Sequence, residues 1–280
     1  MSRLINYGGV VGGSEQYVEK VYGSKHSKEF YARKYKDSLQ RIKELENKVI
    51  LVSGGGSGIG KEAALAFAEC GAEIVLLGKN SDHLEETYNE FEARKLRSPI
   101  LHQLDLETAT EEELKQINNA LIEEFGKLDG LLNNASILGD KSPIESYKYE
   151  VWKKVFDINV HATFLLTKSL LPALRLSKKG SIIFTSSGVG RIGKAYWGAY
   201  SLSKFATESL GQILSDELEN TSNIRVNSIN PGAVRTQMRE QAYPAEDPKI
   251  NKEAKEILNA YLYLMSDKSI GISGDSIDAQ

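Results

Sequence analysis

Short apolar runs alternate with longer segments of helical spacing along most of the chain. Runs of this kind are typical of buried strands. The pattern predicts strands at 49–52, 73–77, 100–103, 128–133, 181–185 and 224–229. It predicts helices at 61–68, 82–96, 111–125, 149–176, 199–218 and near 252–265. Strands that alternate with helices of this length form βαβ units. The prediction is therefore an α/β fold with a doubly wound parallel sheet, covered by helices on both faces.

Residues 1–46 differ in composition from the rest of the chain. Their first part is rich in glycine and tyrosine and shows no periodic apolar spacing. From Ser27 onward, apolar and aromatic residues recur at helical spacing, which predicts a helix leading into the main domain. The segment has too few apolar residues for a core of its own. We therefore expect a partly helical N-terminal extension over 1–46, which either covers a neighbouring subunit or is poorly ordered, and a single domain over 47–280.

The first predicted strand ends in a glycine-rich turn, and a helix follows that turn. Glycines let the main chain approach a ligand closely, and the helix N-terminus presents free N–H groups and partial positive charge to a pyrophosphate. The spacing Gly-x-x-x-Gly-x-Gly is wider than Gly-x-Gly-x-x-Gly, but the turn lies where a dinucleotide would bind. The alternative is a flexible glycine linker. The predicted cofactor contacts here are Ser53, Gly54, Gly56, Ser57, Gly58, Ile59 and Gly60.

Ligands of parallel sheets bind beyond the carboxyl ends of the strands, so the residues that follow each strand are the next candidates. After the second strand, Gly78 stands where an NAD-binding fold usually carries an acid on the adenosine ribose, and Lys79 and Asn80 follow it. A basic group there suits a 2′-phosphate, which favours NADP as the cofactor, with NAD as the second choice. The alternative is a solvated surface lysine.

Polar residues also follow the third and fourth strands. Asp105, beside Leu106, is placed to accept a hydrogen bond from the adenine amine, with a plain helix cap as the rival interpretation. Asn133, Asn134 and Ala135 follow the fourth strand. Paired amides in this position either brace the glycine turn, contact the cofactor or simply end the strand.

A candidate group for proton transfer follows the fifth strand. Ser187 is the second residue after it, Tyr200 stands thirteen residues later, and Lys204 lies four residues further on. On a helix, a spacing of four puts the tyrosine and the lysine on one face. A nearby ammonium favours the phenolate and lowers the tyrosine pKa. With the serine hydroxyl holding the substrate oxygen, these side chains can couple proton transfer to hydride transfer.

The same spacing occurs a second time, as Ser136, Tyr149 and Lys153, so spacing alone does not identify the site. Small residues flank Tyr200 and leave room for a ligand against the helix. Charged and bulky residues surround Tyr149, as expected for a solvated helix start. This context favours Tyr200.

Composition narrows the classes of function. The 280 residues are 41% hydrophobic and 26% charged, with a formal net charge of −3, which gives no reason to expect nucleic acid or a membrane surface as a partner. The single Cys70 rules out an intrachain disulfide and fits a reducing compartment. No segment has the apolar length of a bilayer span, and residues 1–20 lack the core of a signal peptide. We expect a cytoplasmic protein without a metal site.

Together these motifs resemble the short-chain dehydrogenase/reductase family over roughly residues 45–280. The family's glycine motif appears at 53–60, with serine in place of threonine, and its Asn-Asn-Ala-Gly motif at 133–136, with serine in place of glycine. The family's catalytic asparagine matches Asn159, and its serine, tyrosine and lysine match Ser187, Tyr200 and Lys204. The element that meets the nicotinamide end of the cofactor matches Pro231, Gly232, Val234 and Thr236.

The resemblance implies a Rossmann-like fold and an NADP-dependent oxidoreductase that interconverts a carbonyl and a secondary alcohol. Tyr200 would be the general acid/base, Lys204 would tune it and bind the ribose, Ser187 would polarise the carbonyl, and Asn159 would hold a water in the proton relay. A narrower resemblance is to bacterial uncharacterised oxidoreductases similar to 3-oxoacyl-acyl-carrier-protein reductases. Their usual terminal Val-Asp-Gly-Gly is replaced here by 277–280.

The resemblance also implies a homo-oligomer, a tetramer or a dimer, with the helices around 152–176 and 199–218 at the interface. Apolar residues at helical spacing on these helices are Ala162, Leu166, Leu170, Phe205, Leu210 and Leu214. The substrate is expected to be a small carbonyl or alcohol compound, which a lid between Thr236 and Asn251 would cover. The alternative function is a catalytically weak, cofactor-binding regulator or scaffold on the same fold.

Overall fold

The computed structural model describes residues 43–280, so the helix predicted from Ser27 onward lies outside the described part. The centre is a seven-stranded sheet in the order β3-β2-β1-β4-β5-β6-β9, with every neighbouring pair parallel. Its strands are β1 Val49–Ser53, β2 Glu73–Gly78, β3 Ile100–Gln103, β4 Gly130–Asn133, β5 Ser181–Thr185, β6 Arg225–Asn230 and β9 Ser276–Asp278. A small second sheet pairs β7 Val234–Arg235 with β8 Lys252–Glu253.

Helices connect the strands in the predicted alternation. They are α1 Gly58–Glu69, α2 Ser81–Ala93, α3 Glu111–Phe125, α4 Tyr149–Phe156, α5 Thr163–Arg175, α6 Gly198–Leu218, α7 Gln237–Ala242 and α8 Asn259–Met265. A π-helical segment, Asp157–Ala162, joins α4 to α5. Single 3₁₀ turns occur at Ile144–Ser146, Gly188–Gly190, Pro248–Ile250, Ala254–Ile257 and Asp267–Ser269. The prediction of an α/β doubly wound parallel sheet is confirmed.

Strand β1 is buried on both faces, as the apolar run predicts. Ile50 and Val52 point into a core formed with α1, α2 and α8, whereas Val49 and Leu51 point into a second core with α3, α5 and α6. These side chains are at most 3% exposed, so each contributes about 1.5–3 kcal/mol of apolar burial. The sheet thus separates two hydrophobic cores.

The strand order reverses between β1 and β4. The chain runs outward from β1 to β2 and β3, then returns to β4 on the other side of β1, where Val52 is paired with Leu132. Ligands of open α/β sheets bind at such a reversal, outside the carboxyl ends of the strands. The polar residues that follow β1, β4 and β5 therefore meet at one edge of the sheet.

Some elements differ from the sequence prediction. The helix predicted at 149–176 is interrupted by the π-helical segment, and the helix predicted near 252–265 begins only at Asn259, because Lys252 and Glu253 pair with β7. The predicted strand at 128–133 begins at Gly130, and strand β9 was not predicted. Within residues 43–280, no helix combines the length and the apolarity needed to cross a bilayer.

Candidate active site

The glycine turn between β1 and α1 brings main-chain atoms to the edge of a cleft. Gly54 and Gly58 have φ angles of +69° and +54°, a left-handed conformation that favours glycine. A Cβ on Gly60 would lie 2.2 Å from the main-chain oxygen of Gly54, so a side chain there would force α1 away from the turn. Ser57 is the N-cap residue of α1, and Ile59 lies in its first turn. The N-terminus of α1 is therefore held against the cleft, where its N–H groups favour an anion.

The Ser53 hydroxyl joins the end of β1 to the end of β4. It accepts hydrogen bonds from the main-chain nitrogens of Asn134 (3.0 Å) and Ala135 (3.2 Å), and it donates to the carbonyl of Leu132 (3.3 Å). The Asn134 side-chain oxygen accepts a hydrogen bond from the Thr185 hydroxyl at 3.3 Å. These bonds fix the ends of β1, β4 and β5 relative to one another.

Eight of the predicted cofactor residues do not line the cavity in this cleft: Ser53, Gly56, Gly60 and Asn133 at the glycine turn and the end of β4, and Lys79, Asn80, Asp105 and Leu106 after β2 and β3. Asn133 donates a hydrogen bond from Nδ2 to the Thr167 hydroxyl (3.0 Å), so its buried side chain faces α5. Gly56 packs against His83 of α2, Gly60 packs against the main chain of Gly54, and the Ser53 hydroxyl binds the main chain after β4. For Ser53, Gly56, Gly60 and Asn133 the structure shows contacts that shape the turn and the strand end, and their direct contact with the cofactor stays a prediction.

The cleft above β1, β4 and β5 contains a cavity of about 360 Å³. Small-molecule sites are typically ~300–1,000 Å³ in volume. The predicted residues that line it are Gly54, Ser57, Gly58, Ile59, Asn134, Ala135, Ser187, Tyr200, Lys204, Pro231, Gly232, Val234 and Thr236. The structure thus brings the glycine turn, the serine, the tyrosine–lysine pair and the proline–glycine element to one cavity, although they are far apart in sequence.

Tyr200 is buried at this cavity and is 7% exposed. Burial raises the pKa of Tyr200 to about 12, and a hydrogen bond with the Ser187 side chain works in the opposite direction. We expected the Lys204 ammonium to lower the tyrosine pKa. Burial instead dominates, because removing a phenolate from water disfavours its charge, and Lys204 does not contribute to the shift. At neutral pH Tyr200 is therefore a protonated phenol, with Ser187 in the lining of the same cavity.

Lys204 lies one turn after Tyr200 on α6. Its Nζ donates a hydrogen bond to the carbonyl of Thr185 (2.8 Å) and lies 5.6 Å from the centre of the Tyr200 ring. Burial lowers the pKa of Lys204 to about 8, while the Glu208 carboxylate acts to raise it. The lysine is thus still mainly protonated at neutral pH and faces the same cavity as the tyrosine.

Asn159 lies in the π-helical segment and is 2% exposed. Its Oδ1 accepts a hydrogen bond from the main-chain nitrogen of Ile137 (2.9 Å), and its Nδ2 donates to the Ile137 carbonyl (2.9 Å) and to the Ser203 hydroxyl (3.0 Å). Ser203 in turn donates to the carbonyl of Tyr200 (2.8 Å). The Asn159 side chain therefore connects the loop after β4 to the tyrosine helix.

The residues predicted to hold the adenosine end lie together after β2 and β3 but are engaged with one another. Lys79 Nζ lies 2.6 Å from Asp105 Oδ2 and 3.9 Å from Glu107, and its hydrogen bond holds the pKa of Asp105 below the usual value. Asn80 Oδ1 accepts from the main-chain nitrogen of His83 (3.1 Å) and so caps α2. Lys79 is 63% exposed, so its ammonium is accessible to a ligand. Leu106 is partly buried against the core beside α3.

The second Ser–Tyr–Lys set does not form a comparable site. Tyr149 is 72% exposed, at the start of α4. Lys153 is paired with Asp157 at 2.7 Å on the helix surface. Neither side chain has the burial that a proton-transfer group uses to control its pKa.

An apolar wall, which sequence reasoning identified only in part, covers the cavity near Tyr200. Leu138, Trp197 and Ala242 pack around the tyrosine, and the centres of the Trp197 and Tyr200 rings are 5.7 Å apart. Lys141 Nζ donates to the carbonyl of Ala242 (2.6 Å), at the end of α7. The predicted lid residues Met238 and Tyr243 pack on this wall, but nothing in the sequence marked Leu138, Trp197 or Lys141 as neighbours of the lid. Among the residues that the structure describes, no group of His, Cys, Asp and Glu side chains could hold a metal ion.

Comparisons with known proteins agree with this geometry. Residues 48–247 match the model of the short chain dehydrogenase family. The chain is 45% identical over 236 residues to the uncharacterized oxidoreductase YciK of Escherichia coli K12, covering 84% of this chain and 93% of that protein. The predicted resemblance to bacterial uncharacterised oxidoreductases is thereby confirmed.

Solved structures match equally well. A short chain dehydrogenase from Pseudomonas syringae is 48% identical, with a TM-score of 0.84 and coverage of 85% of this chain and 96% of that chain. A short chain dehydrogenase from Shigella flexneri 2a, solved in complex with NADP, is 45% identical, with a TM-score of 0.82 and coverage of 85% and 99%. The chain therefore belongs to the short chain dehydrogenase family, the NAD(P)-dependent oxidoreductases that act on CH–OH groups.

Proposed function

We propose that this protein is an NADP-dependent oxidoreductase that interconverts an apolar carbonyl compound and the corresponding secondary alcohol. The observation that carries the proposal is the arrangement at the cavity wall, where Ser187 and Tyr200 line one cavity and Lys204 Nζ lies 5.6 Å from the centre of the Tyr200 ring. Two adjacent hydroxyls can both contact one carbonyl oxygen, and the tyrosine can transfer its proton to that oxygen.

In the direction of reduction, Ser187 donates a hydrogen bond to the carbonyl oxygen and polarises it. The bound nicotinamide supplies the hydride. Tyr200 donates its proton to the oxygen as negative charge develops there, and the Lys204 ammonium stabilises the resulting phenolate and is placed to contact the ribose. Because the pKa of Tyr200 is raised to about 12, the free protein is ready to donate a proton at neutral pH. The proposed water contact of Asn159 would fall to its main-chain carbonyl, because both polar atoms of its side chain bind protein.

The residues of the cleft fit a bound dinucleotide. The left-handed Gly54 and Gly58 and the N-terminus of α1 offer main-chain N–H groups to the pyrophosphate, while Thr236 and the loop before it line the cavity beside Tyr200. Gly78 places no carboxylate at the end of β2 to repel a 2′-phosphate, and Lys79 offers a cation. The Shigella flexneri relative solved with NADP supports the same cofactor for this chain.

NADPH is expected to bind several-fold more tightly than NADH, and Lys79→Ala should narrow the difference. A charge-assisted contact with phosphate contributes about 1.5–3 kcal/mol, but Lys79 must first leave Asp105, so we expect a preference of about tenfold. Titration of the protein with NADPH and with NADH measures the two dissociation constants, and their ratio gives the preference. Lys154→Ala is the matched control, because Lys154 pairs with the neighbouring Glu107 at 2.8 Å. Equal affinities, or a difference that Lys79→Ala leaves intact, would contradict this assignment.

The apolar wall of Leu138, Trp197 and Ala242 argues for a substrate with a hydrophobic group beside its carbonyl. The test is a screen that follows NADPH oxidation with cyclic ketones, medium-chain aldehydes and 3-oxoacyl thioesters. We expect turnover of at least one apolar class and little with small charged carbonyls such as pyruvate. Turnover confined to charged carbonyls would overturn the apolar assignment.

We further propose a homo-oligomer, although most of the residues expected at its interface face the subunit's own sheet. Ala162, Leu166, Leu170 and Leu214 are buried in the core, and Phe205 and Leu210 are half-buried. The exposed apolar side chains on α5 and α6 are instead Phe164, Leu202 and Ile213.

Light scattering at micromolar concentration is expected to give the mass of a tetramer or a dimer, and Ile213→Glu should shift it towards the monomer, because a charge there would be buried on assembly. Ile100→Glu, which makes the same change at an exposed apolar residue of the edge strand β3, serves as a control. A wild-type monomer would contradict the proposal.

We also place the protein in the cytoplasm, because its one cysteine, Cys70, is buried and makes no disulfide.

A further inference from the structure

A largely buried ionic cluster lies where the turn that follows Ser187 meets α6 and β9. Its centre is Arg191, four residues after Ser187, with a side chain that is 13% exposed. The guanidinium donates to Asp278 Oδ1 (2.7 Å), to the Ser276 hydroxyl (2.7 and 3.0 Å) and to the Ile277 carbonyl (3.2 Å). Glu208 lies 3.5 Å from Arg191 and accepts a hydrogen bond from Ser276 at 2.8 Å. We call Arg191, Glu208, Ser276 and Asp278 the tail cluster.

The tail cluster is connected to three segments that line the cavity near Tyr200: the turn after Ser187, helix α6 and the proline–glycine element. Arg191 ends the turn that begins with Ser187, and we call residues 187–191 the serine turn. Glu208 lies on α6, one helical turn after Lys204. Asp278 accepts a hydrogen bond from Asn230 Nδ2 (2.9 Å), and the Asn230 side-chain oxygen accepts from the main-chain nitrogen of Gly232 (3.1 Å), in the proline–glycine element.

The serine turn packs directly on the helix that carries the tyrosine and the lysine. A Cβ on Gly190 would lie 2.7 Å from the Cβ of Lys204 and 2.9 Å from its main-chain oxygen. The Ser201 hydroxyl donates to the carbonyl of Val189 at 2.6 Å. The distance between Ser187 and Tyr200 is therefore set by how the turn rests on α6, and Arg191 anchors the far end of that turn.

The ion pairs of the tail cluster are better suited to fixing one geometry than to stabilising the fold. Buried ion pairs contribute little net stability, because desolvation offsets their attraction, whereas they fix one geometry among several. The planar guanidinium donates in several fixed directions at once, which a lysine cannot reproduce. The bonds made by Arg191 reach a strand, β9, that is remote in sequence from both the serine and the tyrosine.

We propose that Arg191 is a positioning residue, which through Glu208 and Asp278 holds the serine turn in register with the tyrosine helix and the proline–glycine element. The proposal rests on the function proposed above, because its purpose is to keep the Ser187 and Tyr200 hydroxyls on one carbonyl oxygen. Displacing a catalytic group by about 1 Å can cost on the order of 100-fold in rate. Disrupting the tail cluster should therefore affect turnover far more than cofactor binding.

The test compares Arg191→Met, Arg191→Lys and the control Arg94→Met in the full-length protein. Arg94 pairs with Glu69 and Glu90 on the surface of α1 and α2, far from the cavity. Three quantities are measured: kcat and KM for NADPH-dependent reduction of cyclohexanone, the NADPH dissociation constant, and hydrogen exchange of the 188–192 amides in the NADPH-bound protein.

We expect Arg191→Met to lower kcat by about 100-fold, with KM and the NADPH dissociation constant nearly unchanged. Exchange should rise selectively at 188–192, Arg191→Lys should recover part of kcat, and Arg94→Met should behave as wild type. If kcat is retained, or if exchange rises across the whole chain in proportion to lost stability, Arg191 is merely structural and the proposal is wrong.

Glu208→Gln provides a second variant if Arg191→Met does not fold. It keeps the shape of the side chain and removes its charge, and it should give the same selective exchange at 188–192 with a smaller loss of kcat. Unchanged exchange in Glu208→Gln would count against the proposal. If the wild-type protein reduces no carbonyl probe, the proposed function fails, while the exchange measurements still decide whether the tail cluster holds the serine turn.

Discussion

Tyr200→Phe is expected to abolish carbonyl reduction while leaving NADPH affinity nearly unchanged. The substitution removes one hydroxyl and keeps the ring that packs against Trp197 at 5.7 Å between ring centres. A positioned general acid contributes about 100- to 10,000-fold to the rate, so the loss should appear in kcat. Steady-state kinetics with a ketone from the substrate screen, together with an NADPH titration, measures both quantities.

Tyr149→Phe is the matched control for this experiment. It makes the same chemical change at the exposed tyrosine of the second Ser–Tyr–Lys set, where the side chain is 72% in contact with solvent. We expect wild-type turnover from this variant. Near wild-type turnover in Tyr200→Phe, with a loss in Tyr149→Phe, would reverse the assignment of the site.

Lys204→Met is expected to abolish turnover and at the same time to stabilise the fold. Burial lowers the pKa of Lys204 from 10.5 to about 8, which means that the folded protein holds a charged group in an unfavourable environment at neutral pH. A pKa shift of this size corresponds to a destabilisation of the folded state by about 3 kcal/mol, which the substitution removes. The substitution also removes the hydrogen bond to Thr185, which costs about 1 kcal/mol of stability. The net expectation is that the free energy of unfolding rises by about 2 kcal/mol at neutral pH.

The pH dependence of the free energy of unfolding tests the sign of the Lys204 contribution. Between pH 8 and 10.5 the unfolded lysine binds more protons than the folded one, so the contribution of Lys204 to stability improves as the pH rises through this window. The stability advantage of Lys204→Met over wild type should therefore shrink from neutral pH upward and vanish below the unfolded pKa of 10.5. Above that pKa the variant should be less stable than wild type by about 1 kcal/mol, because only the lost hydrogen bond to Thr185 remains. Urea unfolding at neutral pH and midway through the window tests this. A variant that is less stable than wild type at neutral pH would contradict the account.

Most of the fold, and the placement of Tyr200 and Lys204 on one helix face, could be predicted from the sequence because they depend on local patterns. Buried parallel strands such as β1 are continuous apolar runs, and the four-residue spacing of Tyr200 and Lys204 survives on any helix. The π-helical segment around Asn159 could not be predicted, because the spacing over 149–176 is that of one continuous helix and does not show the contacts of Asn159 with Ile137 and Ser203. Strand β9 was missed because Ser276–Asp278 is short and mainly polar.

The sequence also could not show which polar groups engage one another. Lys79 and Asp105 were each assigned to the cofactor, yet they form an ion pair because the ends of β2 and β3 are adjacent. The pKa of Tyr200 was expected to fall because of Lys204, but the degree of burial, which only packing determines, raises it. Likewise, α5 and α6 are apolar over more than one face, and only the structure separates the core residue Leu166 from the exposed Phe164.

The most direct test of the central claim follows the hydride itself. The protein is incubated with NADPH that carries deuterium at the transferable position and with an apolar ketone, and the alcohol product is analysed by mass spectrometry. The account predicts that wild type and Tyr149→Phe form alcohol with one deuterium on the carbinol carbon, and that Tyr200→Phe forms essentially none of this labelled alcohol. An unlabelled alcohol from wild type, or an equal amount of labelled alcohol from Tyr200→Phe, would contradict it.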